Sequence, residues 1–143
     1  MLEDDPSKAY FVVQLNDSPI AAIYFTGLGT STVTWGCYIG SEKPVPGLFV
    51  GLVVLAAKFV FEDYQAEILR SEVAAHNSNP IKLNKFLGIP VQRRITKVTK
   101  EGTSLEFIEY KLEKYHFGTM YETALRVIPS SVKEALENFI MEK

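Results

Sequence analysis

What this chain has little of narrows it first. Its 143 residues contain a single cysteine, Cys37, so no internal disulfide framework is available. Cys37 lies inside an apolar run and reads as a buried structural thiol, not a nucleophile. A lone thiol fits a reducing compartment, and a cytoplasmic location is expected. Charge of one sign is also scarce. Fifteen Lys and Arg against seventeen Asp and Glu leave a net charge of −2, which provides no electrostatic footprint for nucleic acid. The one basic cluster, Gln92 to Arg94, reads as a solvated turn. His116 is isolated near the end of the last predicted strand, with no second histidine at metal-ligand spacing, so no metal site is expected. No G-x-S-x-G motif supports Ser/His/Asp chemistry. The longest apolar run, Gly47 to Phe61, falls short of the roughly 18 residues a bilayer span needs, and Lys58 interrupts it. It reads as a buried helix. The acidic opening "MLEDDPSK" lacks the pattern of an export signal, and neither an internal repeat nor a low-complexity tract is present.

What is there is an ordinary globular composition, with 47% hydrophobic and 22% charged residues, enough to bury one core; a single domain over 1–143 is expected. "AYFVVQL" (Ala9 to Leu15) is rich in aromatic and β-branched residues and stops at the turn cluster "NDSP". "IAAIYF" (Ile20 to Phe25) and "VTWGCYIG" (Val33 to Gly40) follow after short breaks, predicting three strands in an antiparallel meander. Two prolines in "SEKPVPG" end this pattern, and a helix is predicted from Gly47 to about Tyr64, apolar all round and therefore buried on more than one side. A strand is expected over Glu67 to Ala75. In "HNSNPIKLNKFLGI" Asn79 is the expected N-cap, Pro80 the first helical residue and Gly88 the positive-φ stop. Leu83, Phe86 and Leu87 fall on one face of that short helix and Asn84 on another, where a solvent-facing amide is the simplest reading. A second hairpin, "RRITKVTK", "EGT" and "LEFIEYKLEKYHF", alternates apolar and charged. A final helix is predicted over Ser131 to Lys143, where Ser131 and Glu134 form a capping-box pattern and Val132, Leu136, Phe139 and Ile140 a stripe. A strand, crossover helix and neighbouring strand imply one parallel pair in an otherwise antiparallel sheet, hence a mixed α+β fold with helices on both faces.

Two stretches carry a family resemblance: "YFVVQLNDSPIAAIYF…VTWGCYIG" and "FVFEDYQAEILRSEVAAHNSNPIKLNKFLGI". In the second, Glu72, Val73, Asn77, Ile81, Leu83, Leu87 and Gly88 fall in register with a family run of Glu-Val, Asn, a small residue, an aliphatic, Leu-Tyr and Leu-Gly-Phe. Over roughly residues 9 to 115, within a domain core of about 9–117, the chain resembles the GNAT superfamily of N-acetyltransferases, and within it the enzymes that acetylate nucleotide-linked amino sugars in pseudaminic acid synthesis. The resemblance implies a V-shaped split between the two central strands that holds the pantetheine arm of acetyl-coenzyme A, here beside Tyr38 and Ile39. It implies a pyrophosphate site on the backbone of Gly47, Leu48, Phe49, Val50 and Gly51, with Asn77, Pro80 and Asn84 near the cofactor. Acetyl-CoA and an unidentified amine acceptor would be the substrates.

The departures from the family pattern matter equally. The phosphate loop reads Pro44, Gly47 and Phe49 where relatives place Gln or Arg, Gly, and Gly or Ala. Asn84 stands where many relatives place a proton-donating Tyr, and an amide has no titratable proton. Glu72 on the strand and His76 at its end are the candidate bases, with Asn84 the third residue at the catalytic position. The likeness starts after the strand and two helices with which the family usually opens, so a homodimer is expected to cover the exposed edge. The competing expectation is a non-catalytic binding protein on the same scaffold.

Overall fold

The structure is a computed structural model that describes residues 5–15, 18–40 and 47–130. Among them six strands, β1 (Lys8–Leu15), β2 (Ser18–Thr26), β3 (Thr32–Ile39), β4 (Ile68–Ala74), β5 (Val91–Val98) and β6 (Ser104–Glu113), form one sheet in the order β1-β2-β3-β4-β6-β5. All neighbours are antiparallel except β3 and β4, which the helix α1 (Leu48–Lys58) connects. This is the mixed α+β sheet with one parallel pair that the order of elements predicts. A π-helical turn, Phe59–Asp63, prolongs α1 to nearly the predicted end.

Alternation decides the faces. Phe11 pairs with Ile23, Ile23 with Cys37, and Phe25 with Trp35, so these side chains share one face with Val13, Ala21 and Val33. There α1 lies across them: the Phe59 ring meets Phe11 at 5.4 Å and Phe25 at 4.9 Å, centroid to centroid. The helix is buried on its other side as well, because α3 (Phe117–Leu125) packs over it through Phe61 and Phe117, with Met120 and Ala124 buried beneath. That burial accounts for the uniformly apolar sequence of α1. Helix α2 (Ser78–Phe86) leads to Leu87 and Ile89, which join the same core. The opposite face of β1 to β3 presents Tyr10, Val12, Tyr24 and Tyr38 to solvent.

Several expectations change. The cluster at Gln92 to Arg94 is not a turn; it lies in β5, where Arg93 is drawn to a buried carboxylate on β6. "KYHF" does not continue the last strand: β6 stops at Glu113, Lys114–His116 is a 3-10 turn, and α3 begins at Phe117, so the core reaches Ile128. The N-cap of α2 is Asn77, two residues ahead of Asn79, because a tight turn from Ala74 (Asn77 N to Ala74 O, 2.9 Å) brings the chain into the helix early. Gly88 ends that region with φ +74°, as predicted. The predicted helix over Ser131 to Lys143, and Pro44 with Pro46, lie outside the described residues.

Candidate functional site

The site begins where pairing stops. β3 and β4 are in register at Thr32 with Ile68, Val33 with Leu69 and Thr34 with Arg70, and then separate. Beyond that point Trp35 to Ile39 keep β2 as partner, and Ser71 to Ala74 keep β6. Two strand edges therefore face each other across a widening gap with unshared backbone donors and acceptors, an arrangement that accepts an extended ligand as an added strand. An open cavity of about 130 Å³ occupies the gap. Trp35, Gly36 and Cys37 line it from β3, Glu72 and Val73 from β4, and Phe49 from the first turn of α1.

Helix α1 points its start at this gap. Gly47, its N-cap, has φ +77° and no capping side chain, and no acidic residue stands in the first turn, so the leading N–H groups and the positive dipole end are left for an anion. Leu48, Val50 and Gly51 turn into the core, which leaves only their backbone available. The Phe49 ring lies tilted beside Trp35, with centroids 6.3 Å apart, and forms cleft wall where relatives of the resembled family have a small residue.

The residues singled out from the sequence are only partly brought together. Asn77 and Pro80 line the cavity from the start of α2, as does Glu72 from β4. Tyr38 and Ile39 lie farther along β3, both side chains exposed, so that strand's backbone is what they offer. His76 is exposed just past β4 and is not part of the cavity wall. Asn84 is a correction: it is 3% exposed, not solvent-facing, and Phe86 is the exposed residue instead. The helix is rotated so that Asn84 and Leu87 turn inward. Burial is tolerable because Asn84 Nδ2 donates to the Pro80 carbonyl at 2.9 Å, one turn back. Its amide serves α2 and does not line the cavity.

Glu72 is the carboxylate of the gap, and its surroundings decide what it can do. It stands directly opposite Glu109 on β6, a pairing that would be repulsive alone. Arg70 resolves it, donating Nη2 to Glu72 at 3.0 Å, Nε to Glu109 at 2.8 Å and Nη1 to Thr34 at 3.0 Å. Arg93 Nε takes the other Glu109 oxygen at 2.8 Å, and Lys97 bonds Glu72. The Lys97 hydrogen bond, then Arg70, hold the Glu72 carboxyl below its usual range, so it is a fixed anion and a weakened base. Cys37 is half-buried rather than fully buried, and desolvation pushes its thiol up to about 11, as befits a structural cysteine. Among the described residues no cluster of three or more His, Cys, Asp or Glu is placed to hold a metal, and no helix is long and apolar enough to cross a membrane.

No protein-family model matches the sequence, and no curated protein matches it. Solved structures do. A protein from T. thermophilus described as an acetyltransferase superposes with a TM-score of 0.74 at 14% identity, covering 89% of this chain and 70% of its own. The fold is GNAT-like. The spermidine/spermine N-acetyltransferase SpeG from Vibrio cholerae gives a TM-score of 0.71 at 14% identity, with 79% and 69% covered. The Campylobacter jejuni N-acetyltransferase PseH, solved in complex with acetyl coenzyme A, gives 0.62 at 23% identity, with 79% and 72% covered. Sequence reasoning missed Tyr24, Trp35, Gly36 and Val73 as cleft residues; no motif marks them, and it is the strand register of the folded sheet, which pairs Tyr24 with Gly36, that brings them to the gap.

Proposed function

We infer that this protein is an acetyl-CoA-dependent N-acetyltransferase that transfers the acetyl group to an amine of a small molecule or nucleotide sugar. The observation that carries this reading is the end of β3–β4 pairing at Thr34 and Arg70, which opens two unpaired edges beside an uncapped helix start. In this reading the edges of β3 and β4 hold the pantetheine arm, with Asn77 and Pro80 as the far wall. The backbone N–H groups that follow Gly47 take the pyrophosphate. An amine entering the gap attacks the thioester carbonyl: a C–N bond forms, the C–S bond breaks and its electron pair leaves on sulfur. The protein contributes mainly position, holding the two reactants at attack distance. The acceptor is a small amine, and polyamines and amino-sugar nucleotides are the two classes to try first. We also expect a cytoplasmic homodimer in which a second copy covers the face bearing Tyr10 and Val12; sedimentation as a monomer at tens of micromolar would count against it.

One set of observations favours the alternative, a non-catalytic binding protein on the same fold: Glu72 is neutralised by two cations and Asn84 is tied into its own helix. Thiol release from acetyl-CoA in the presence of spermidine or an amino-sugar nucleotide separates the two. Release that depends on the amine, with the acetylated product found by mass spectrometry, supports the enzyme. Tight cofactor binding with no release supports the binder.

A further inference from the structure

A thioester cleaved by an amine leaves a thiolate that needs a proton, and the residue in line for that task in the sequence, Asn84, is buried away from the cleft. The cleft has another donor. Tyr24 on β2 is the direct cross-strand partner of Gly36 on β3, and its ring reaches across that glycine: a Cβ built on Gly36 would lie 2.2 Å from Tyr24 Oη and 2.3 Å from Cζ. It is therefore the hydroxyl end of the ring that overlies β3, the strand that borders the gap, and Tyr24 is part of the cavity wall. Any side chain at position 36 would push the phenol out. Among the described residues the Tyr24 hydroxyl makes no hydrogen bond, so its proton is not committed to another protein group. Of the other proton-bearing or ionisable groups in the wall, Glu72 is an ion-paired carboxylate with no proton to give, and Ser71 and Cys37 alternate to the other side of the sheet.

We propose that Tyr24 is the general acid of acetyl transfer, its Oη–H protonating the departing coenzyme A sulfur in place of the residue that Asn84 replaces. This rests on the acetyltransferase reading above. As the C–S bond breaks, the Tyr24 proton passes to sulfur to give the free thiol; the phenolate then recovers a proton from solvent, which receives the one lost by the acylated amine, so the step balances without a further reagent. Gly36 is the positioning partner, because its missing side chain lets the phenol lie over β3.

The test uses Tyr24→Phe, which keeps the ring and loses the proton, together with Gly36→Ala, which keeps the phenol and displaces it. Acetyl-CoA affinity is measured by calorimetry and turnover by thiol release with whichever amine the wild type acetylates. The expected result is kcat lowered about 100-fold in both variants, with the affinity of Tyr24→Phe for acetyl-CoA within about twofold of wild type. A Tyr24→Phe protein that turns over like wild type overturns the assignment and leaves the acetyltransferase reading intact. Equal losses of affinity and kcat make Tyr24 a wall residue and also overturn it. A wild-type protein that binds acetyl-CoA but acetylates no amine removes the reading itself, and the proposal with it.

Discussion

Replacing Glu109 by Gln tests how the charged half of the sheet is held together. Glu109 is 4% exposed and takes one arginine on each carboxylate oxygen, both at 2.8 Å. The Arg70 hydrogen bond first, then Arg93, bring its carboxyl down from an ordinary 4.5 to about 2. At 1.36 kcal/mol per unit this corresponds to about 3 kcal/mol, and solvent on the open side of Arg93 reduces it to about 2 kcal/mol. The folded carboxyl binds its proton less readily than the unfolded one, so the contribution is complete above pH 4.5 and is lost as pH falls from 4.5 towards 2. The isosteric amide keeps the shape and loses the charge. Urea unfolding at pH 7 should therefore show Glu109→Gln less stable than wild type by about 2 kcal/mol, and the gap should close as pH is lowered to about 2.5. A gap that stays constant across that range, or a variant as stable as wild type at pH 7, would refute the argument.

Three further outcomes follow from the geometry. Gly47→Ala should cost about 3 kcal/mol, since φ is +77° and the new Cβ would lie 2.6 Å from Pro129 Cδ, whereas Gly88→Ala, at φ +74° with nothing within 4 Å, should cost only about 1 kcal/mol; thermal unfolding of the pair checks the difference. Asn84→Tyr should lower stability by about 2 kcal/mol through overpacking and fail to raise acetyl transfer, because position 84 is enclosed and away from the cleft; a stable variant with higher turnover would contradict this placement. Cys37, its thiol raised to about 11, should react with iodoacetamide at pH 7.5 about 100-fold more slowly than the urea-unfolded chain.

The strands and their order were legible because their signals are local. Aromatic and β-branched runs broken by Gly, Pro and Asn mark β1 to β3, and the uniformly apolar run after Gly47 marks a helix buried from two sides. What was hidden depends on contacts between distant segments. Phe117, Met120, Tyr121 and Ala124 have helical spacing, but the aromatic run that precedes them reads as more strand, and only packing on α1 decides. Asn84 reads as outward-facing because Leu83, Phe86 and Leu87 make the more apolar stripe; a bond to the Pro80 carbonyl lets the amide go inside instead. Arg93 reads as surface until Glu109 is seen beneath it. The cleft itself was available only through the resemblance, since neither the point where β3 and β4 part nor the Tyr24–Gly36 pair is marked by any motif.

The most direct test of the central claim is a calorimetric titration of the protein with acetyl-CoA, using coenzyme A for comparison. The account predicts one site with a dissociation constant near micromolar, about −8 kcal/mol, retained for coenzyme A because the pantetheine and pyrophosphate contacts are shared. Absence of heat at millimolar acetyl-CoA, together with an unchanged melting temperature, would contradict it and leave a GNAT-like fold whose split strands do not hold the cofactor.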